Sequence, residues 1–360
     1  MAADINELIR KVQAEYADLN CTLMEICGTH TNVIRKAGIH RLLPAGVRLL
    51  SGPGCPVCVT GSGYIEQAIR LSQNPQVIIT TFGDLLKVPG NSGSLISARG
   101  VGAQIKTVYS PLDAVTIAQN NPDRKVVFLG VGFETTAPVI ALAVKEAATK
   151  KVTNFSVLPA LKVLKPALEL LLNDPELQLD GLIAPGHLSV IIGAEAFAFL
   201  PQQFKLPTVV TGFANEEVWA GIGALLQQIQ EKSARLENKY DKVVSGPGNV
   251  VAQRLLAEVF TSEDTEWRGL GSVSGSGLGF AEAYQDYDAR RCFQLEPIAS
   301  VEPPGCRCGA ILLGKGTPEE CGLFGVACTP EHPVGPCMVS TEGTCAAHFY
   351  YRDRSELNVR

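Results

Sequence analysis

Three cysteines and one histidine near the amino terminus have the types and spacing for metal or redox chemistry. In MEICGTHTNVIRK, Cys27 stands three residues before His30, so thiol and imidazole can share one face of a turn. A neighbouring imidazole lowers a thiol's pKa and yields a thiolate, which is both a nucleophile and a metal ligand. A buried structural cysteine beside a satisfied histidine is the plainer alternative. In GPGCPVC, two residues separate Cys55 from Cys58, which lets both sulfurs meet within one turn as a disulfide or on a shared metal. Gly52, Pro53 and Gly54 precede the pair, so VRLLSGPGCPVCVTGSGYIEQAIRL reads as a strand, a bent loop and a helix. Half of a zinc site is the competing reading of this pair.

The second concentration of thiols lies at the other end. Cys306, Cys321, Cys328 and Cys345 are separated by fourteen, six and sixteen residues, with Cys308 and Cys337 between them and Cys292 upstream. Four thiolates on irregular Gly/Pro-rich backbone suit a tetrahedral metal or an iron–sulfur cubane, because the ligands must approach from four directions. Structural zinc usually shows two close pairs, and the only close pair here is Cys306/Cys308; unligated core cysteines are the third possibility. A further segment, VVFLGVGFETTAP, reads as a strand, a polar turn and a helix capped by Thr135 or Thr136 with Pro138 in its first turn. Gly130 and Gly132 form only a partial glycine-rich loop with no P-loop lysine, so Glu134 in that turn is better placed to serve a cleft than a nucleotide.

The elements that must position these residues follow from the apolar pattern. QVIITTF, KVVFLGVG, NFSVLPA, LDGLIAPG and LPTVVTGF are short apolar runs with Gly or Pro at or near their ends, as buried parallel strands would be. Helical segments separate them: PLDAVTIAQNN, TAPVIALAVKEAATK, KPALELLLND, NEEVWAGIGALLQQIQEKSARLENKY and NVVAQRLLAEVF. Repeated βα units predict parallel sheets covered by helices. CGTHTNVIRKAGIHRLLP and APGHLSVIIGAEAFAFLP each place a Leu-Pro fourteen residues after a histidine, and RLLSG and TVVTG follow. This partial repeat predicts two similar α/β halves flanking a cleft. SGPGNV and SVSGSGLGF read as glycine turns. The expected division is 1–130 for a first α/β domain, which may recruit part of 262–290, 131–262 for a second, and 290–360 for a small irregular cysteine-rich domain that needs a cofactor to hold it.

Composition limits the class. The chain has 360 residues, 46% hydrophobic and 19% charged, enough to bury a large core without disulfide staples. A net charge of −5 and a pI near 5.7 offer no electrostatic footprint for nucleic acid. The start is an amphipathic helix with Ile5, Leu8, Ile9, Val12, Tyr16 and Leu19 on one side, without a signal core, and no apolar run is long enough to span a membrane. The expected location is the cytoplasm, where eleven cysteines point to metal or redox roles over structural disulfides.

Taken together, CGTH, GPGCPVC, GFETTAP and the Cys-x14-Cys-x6-Cys-x16-Cys set resemble the HypD family of [NiFe]-hydrogenase maturation proteins, in order and over essentially the whole chain. The resemblance implies two α/β domains and a cysteine-rich domain carrying a [4Fe–4S] cluster. It implies a non-enzymatic scaffold on which the Fe(CN)2CO group is assembled with a small HypC-type chaperone, cyanide arriving from a HypE-type donor that works with a HypF-type protein. On that resemblance Cys27 holds the iron with a partner thiolate and His30 sits beside it. Cys55 and Cys58 form the thiol/disulfide pair, Cys306, Cys321, Cys328 and Cys345 ligate the cluster, and the roles of Cys308 and Cys337 stay open. Two rival readings remain from the residues themselves. One is a cluster-linked thiol–disulfide oxidoreductase acting on a protein substrate, which has no need of Cys27. The other is a zinc-stabilised interaction protein.

Overall fold

The computed structural model describes residues 5–352. Its strands in chain order are β1 (Cys21–Glu25), β2 (Val47–Ser51), β3 (Val77–Thr81), β4 (Ile105–Thr107), β5 (Lys125–Gly132), β6 (Phe155–Leu161), β7 (Gly181–Pro185), β8 (Thr208–Thr211), β9 (Leu236–Asn238), β10 (Phe260–Trp267) and β11 (Gly271–Phe280). Two parallel sheets result, ordered β2-β1-β7-β8-β9 and β4-β3-β5-β6, with β10 and β11 paired as an antiparallel hairpin. The five apolar runs read from the sequence are all strands. β3, β6, β7 and β8 are buried at every position and β5 at every position after Lys125, because helices cover both faces of the sheets. Helix Ala137–Thr149 buries Ala137, Ile140, Ala141, Val144 and Ala147, a stripe at helical spacing that lies against β5 and β6.

The division by sequence does not coincide with the sheets. A boundary at 130/131 falls inside β5, and the first sheet takes strands from 21–51 and again from 181–238. The chain leaves the first sheet after β2, builds the whole second sheet, and returns to pair β7 with β1 in the register Leu23↔Gly181, Met24↔Leu182, Glu25↔Ile183. The partial repeat is accordingly not two lobes. Its copies are β1 with helix Gly28–Lys36 and β7 with helix Gly186–Ile192, side by side in one sheet.

Other local readings change for physical reasons. The end of the long segment after Asn215 leaves its helix at Gln230, and Leu236–Asn238 becomes the edge strand β9, paired with β8. SVSGSGLGF is not a turn but most of β11, whose glycines let it lie close against the Glu263 and Thr265 side chains of β10. This hairpin docks on the β6 edge through Lys162↔Gly277, so residues 260–290 extend the second sheet's side, not the first domain. The cysteine-rich segment has only short helices, and its buried Cys308, Ile311, Leu312, Cys321, Phe324, Cys328, Cys337 and Cys345 belong to one core with Met24, Cys55 and Cys58. It is held by that shared core and has none of its own. Among the described residues, no helix is long and apolar enough to cross a membrane.

Phe128, fully buried on β5 and edge-on to Phe82 at 5.3 Å, tests the two-faced burial of the second sheet. Phe128→Ala is expected to cost about 3–5 kcal/mol in urea unfolding. A loss below about 1 kcal/mol would contradict that packing.

Candidate functional site

The carboxyl ends of five strands meet around a cavity of about 180 Å³. β1 contributes Ile26 and Cys27, β2 Gly54 and Pro56, β5 Phe133, Thr135 and Thr136, β6 Leu164, and β7 Pro185, His187 and Leu188. Glu342 closes it from the cysteine-rich segment. Ligand sites at the carboxyl ends of parallel strands are the general rule, and here two sheets supply them. The close approach depends on two glycines. A Cβ at Gly54 would run into the backbone of Ile26 and Cys27, and one at Gly28 would run into the Glu342 backbone.

Cys27 is the N-cap of helix Gly28–Lys36, with extended backbone at φ −150° and ψ 119°. Its N–H donates to Glu25 Oε2 at 2.8 Å, and its sulfur accepts from the backbone N–H groups of His30 and Thr29. These donors favour a thiolate, but the side chain is only 8% exposed and burial outweighs them. The thiol is pushed up to about 12, with the charges of Glu25 and Glu342 acting in the same direction. In the metal-free site Cys27 is therefore a thiol, and a bound cation must displace its proton.

The His30 imidazole is held by Gly212 and Phe213. The ring is fully buried, its Nε2 lies 2.9 Å from Gly212 O, and it stacks on Phe213 at 4.6 Å. A carbonyl only accepts, so Nε2 carries the proton and Nδ1, buried without a partner, holds a lone pair. Burial lowers the pKa of His30 to about 4, so it is neutral. Its contribution to Cys27 is the backbone N–H. The histidine that lines the cavity is His187, stacked on the same Phe213 at 3.9 Å. Its place in the repeat was the only sequence signal for it.

Cys55 and Cys58 are joined as a disulfide, with Cα atoms 5.3 Å apart. The bent loop contains a one-turn helix, Pro56–Val59, with Cys55 as N-cap and its sulfur accepting from Cys58 N at 3.2 Å. That helix packs against Cys308–Leu312 and Pro336–Met338. Glu134 does not line the cavity. Its Oε1 accepts from Leu164 N at 3.1 Å while Oε2 is buried without a partner, and burial raises its pKa to about 7. It ties the β5 turn to the helix after β6.

Two carboxylates escaped the sequence reading. Glu25, fully buried, receives the N–H of Cys27 and the Thr31 hydroxyl, and burial raises its pKa to about 7 against those donors. A lone carboxylate inside the apolar run TLMEI was the available signal. Glu342 Oε1 accepts from Thr29 Oγ1 at 2.8 Å, and no local pattern marks it. Cys21 is a core residue of β1 and Cys292 is exposed, so neither joins the site.

In the cysteine-rich segment the Cys308 sulfur is in contact with those of Cys306, Cys337 and Cys345. The Cys337 pKa falls to about 5 because the Cys308 and Cys345 thiols donate to it, and Cys345 rises correspondingly. Cys328 accepts from Val334 N at 3.4 Å, while a Cβ on Gly335 would crowd the Cys306 and Cys308 sulfurs. Cys321 Sγ lies 3.8 Å from Gly305 O, beside Cys306. Among the described residues, no three His, Cys or carboxylate side chains are arranged to grip a single ion. The donors fit a larger, softer group: six thiols with a glycine where a side chain would fill the space between two of them.

A two-sheet α/β protein with a thiol lining an inter-sheet cleft, the loop of a disulfide on its wall and a thiol-rich segment beside it is the class defined by fold and site. The HypD family model, described as "Hydrogenase formation hypA family", matches residues 2–352. The chain is 43% identical over 333 residues to the hydrogenase maturation factor HypD of Escherichia coli K12, covering 92% of this chain and 89% of that protein. HypD of Azotobacter vinelandii is 44% identical over 336 residues (91% and 89%), and that of Rhodobacter capsulatus 41% over 356 (98% and 94%). The chain belongs to the HypD family, and its role lies in hydrogenase maturation.

Glu25 gives the site a pH signature. Because its folded pKa, about 7, exceeds the ordinary 4.5, its stabilising contribution is present below pH 4.5 and lost as pH rises through 7. Glu25→Gln removes that loss. In urea unfolding at a series of pH values the variant is expected to gain about 3 kcal/mol on the wild type between pH 4.5 and 8. A difference independent of pH would refute the protonated Glu25.

Proposed function

We propose that this protein is an assembly scaffold for the Fe(CN)2CO group of [NiFe]-hydrogenase, with Cys27 as its iron anchor. The observation that carries the reading is the cavity itself, which brings Cys27, the loop of the Cys55–Cys58 disulfide and Glu342 of the cysteine-rich segment to one place. Low-spin iron bearing cyanide and CO needs a soft anionic ligand, and a thiolate supplies one. The N–H groups of Thr29 and His30 are already directed at that sulfur and would stabilise its anionic form once the proton leaves.

In this reading a HypC-type chaperone contributes a second thiolate, and a HypE-type donor delivers cyanide at the open side of the cleft. The relatives are hydrogenase maturation factors, which supports the maturation role, and the partners are part of the proposal. Cys306, Cys321, Cys328 and Cys345 would hold a [4Fe–4S] cluster, with Cys308 and Cys337 packed among them. Such a cluster supplies one electron at a time when bound. Cys55 and Cys58 would provide a two-electron dithiol–disulfide couple, their loop reaching the cavity through Gly54 and Pro56. Glu134, buried behind the lining, holds the β5 turn in place. The work belongs in the cytoplasm, among reducing thiols.

The test is an infrared spectrum of protein isolated without oxygen from cells containing the other maturation proteins. Wild type is expected to show metal-bound cyanide and CO bands, and Cys27→Ala, matched for far-UV circular dichroism, is expected to lack them. Bands that persist in Cys27→Ala would remove the anchor. No bands in either protein, with the cluster chromophore intact, would favour the thiol–disulfide oxidoreductase.

A further inference from the structure

Arg268 is a buried cation that the scaffold reading leaves without a task. It stands in the turn between β10 and β11, which touches both the Pro56–Val59 helix and the cysteine-rich segment. Its backbone N–H donates to Val59 O at 2.8 Å, and its Nη2 donates to Thr60 O at 3.3 Å, two residues beyond Cys58. The next residue, Gly269, packs directly on Gly309, which follows Cys308.

The ion pair of Arg268 is lopsided. Nη1 meets the Glu302 carboxylate at 2.6 and 2.7 Å, yet the arginine side chain is 1% exposed and the glutamate 49%. Water screens the negative partner and leaves the positive one in a low-dielectric interior. In addition, Arg268 Nε–H is buried with no acceptor. An unfilled buried donor is costly unless another state of the protein fills it. The Pro56–Val59 helix that Arg268 touches packs in turn on the thiol-bearing segments Cys308–Leu312 and Pro336–Met338.

We propose that Arg268 is a positioning residue for the thiol chemistry: its buried charge stabilises the reduced, anionic form of the Cys55–Cys58 couple and thereby sets that couple's reduction potential. The step it biases is the transfer of two electrons from a dithiol reductant. The Cys55–Cys58 S–S bond breaks, each sulfur keeps one added electron as a thiolate, and the reductant closes to its own disulfide, releasing two protons to the thiolates or to solvent. A fixed positive charge favours the product side, so its removal makes the disulfide harder to reduce. The proposal rests on the reading of Cys55 and Cys58 as a redox couple but not on the iron.

The full-length protein with its cluster is equilibrated anaerobically in reduced and oxidised dithiothreitol mixtures, and the peptide bearing Cys55 and Cys58 is scored by alkylation and mass spectrometry. Arg268→Gln is expected to shift the equilibrium about tenfold towards disulfide, about 30 mV for a two-electron couple. Arg268→Lys, which keeps the charge, is expected to stay near wild type, and Glu302→Gln to shift towards the dithiol. A wild-type potential in Arg268→Gln, or equal losses in the Gln and Lys variants, would overturn the proposal. If Arg268→Gln does not fold, an unchanged potential in Glu302→Gln overturns it instead. A wild-type pair that takes up no electrons anywhere in the series would sink the redox reading along with it, and infrared bands on Cys27 would still stand apart.

Discussion

The parallel pairing of β1 with β7 is the constraint on which the cleft depends. Parallel neighbours cannot be joined by a tight turn, and here the connection contains an entire second sheet. Loop entropy makes this tolerable, since each doubling of loop length costs only about 0.6 kcal/mol. The pairing places the Cys27 and His187 loops on adjacent strands. The outward and return crossings carry Pro56 and Leu164 to the same cavity. Were β7 paired elsewhere, His187 would not share a cavity with Cys27.

Burial pushes the groups around that cavity towards their uncharged forms. It is the largest cause of the shifts of Glu25, Cys27, His30 and Glu134, and in each it favours the neutral form. The Cys27 thiol and the His30 imidazole are neutral, and the Glu25 and Glu134 carboxyls, raised to about 7, keep their protons well above the usual carboxylate range. Ionising Cys27 alone opposes its burial. A metal cation inverts that balance, because its own charge becomes the largest in the site. The electrostatics of the cleft therefore suit the proposed anchor, whose anion would form only with a bound metal.

The cysteine-rich segment acts as a wall of the same core. Its short helices have too little apolar surface to stand alone, and they bury it against the Pro56–Val59 helix and helix Gly28–Lys36. Glu342 and the sulfur cluster are consequently parts of one loop system, with Gly343 pressed against Cys337 on one side and Glu342 reaching Thr29 on the other. A change in the thiols is mechanically close to the mouth of the cavity.

By itself the sequence determined the elements and the reactive residue types. Continuous apolar runs such as KVVFLGVG declare strands buried on both faces, and Ala-rich segments of helical period declare their covers. Cys55 and Cys58 were legible as a pair because three residues of chain bring their sulfurs together whatever the fold. Which sheet each strand joins was decided only by tertiary structure, since apolar periodicity carries no information about pairing partners 150 or so residues away. The same limit hid Glu342, and it made β11 look like a turn until β10 supplied its hydrogen bonds. It also hid what holds His30. Spacing put imidazole and thiol on one turn, and the N-cap conformation of Cys27 adds backbone N–H groups directed at the sulfur, while Phe213 and Gly212 O hold the ring. Local spacing determines which atoms can meet; packing over the whole chain decides which of them do.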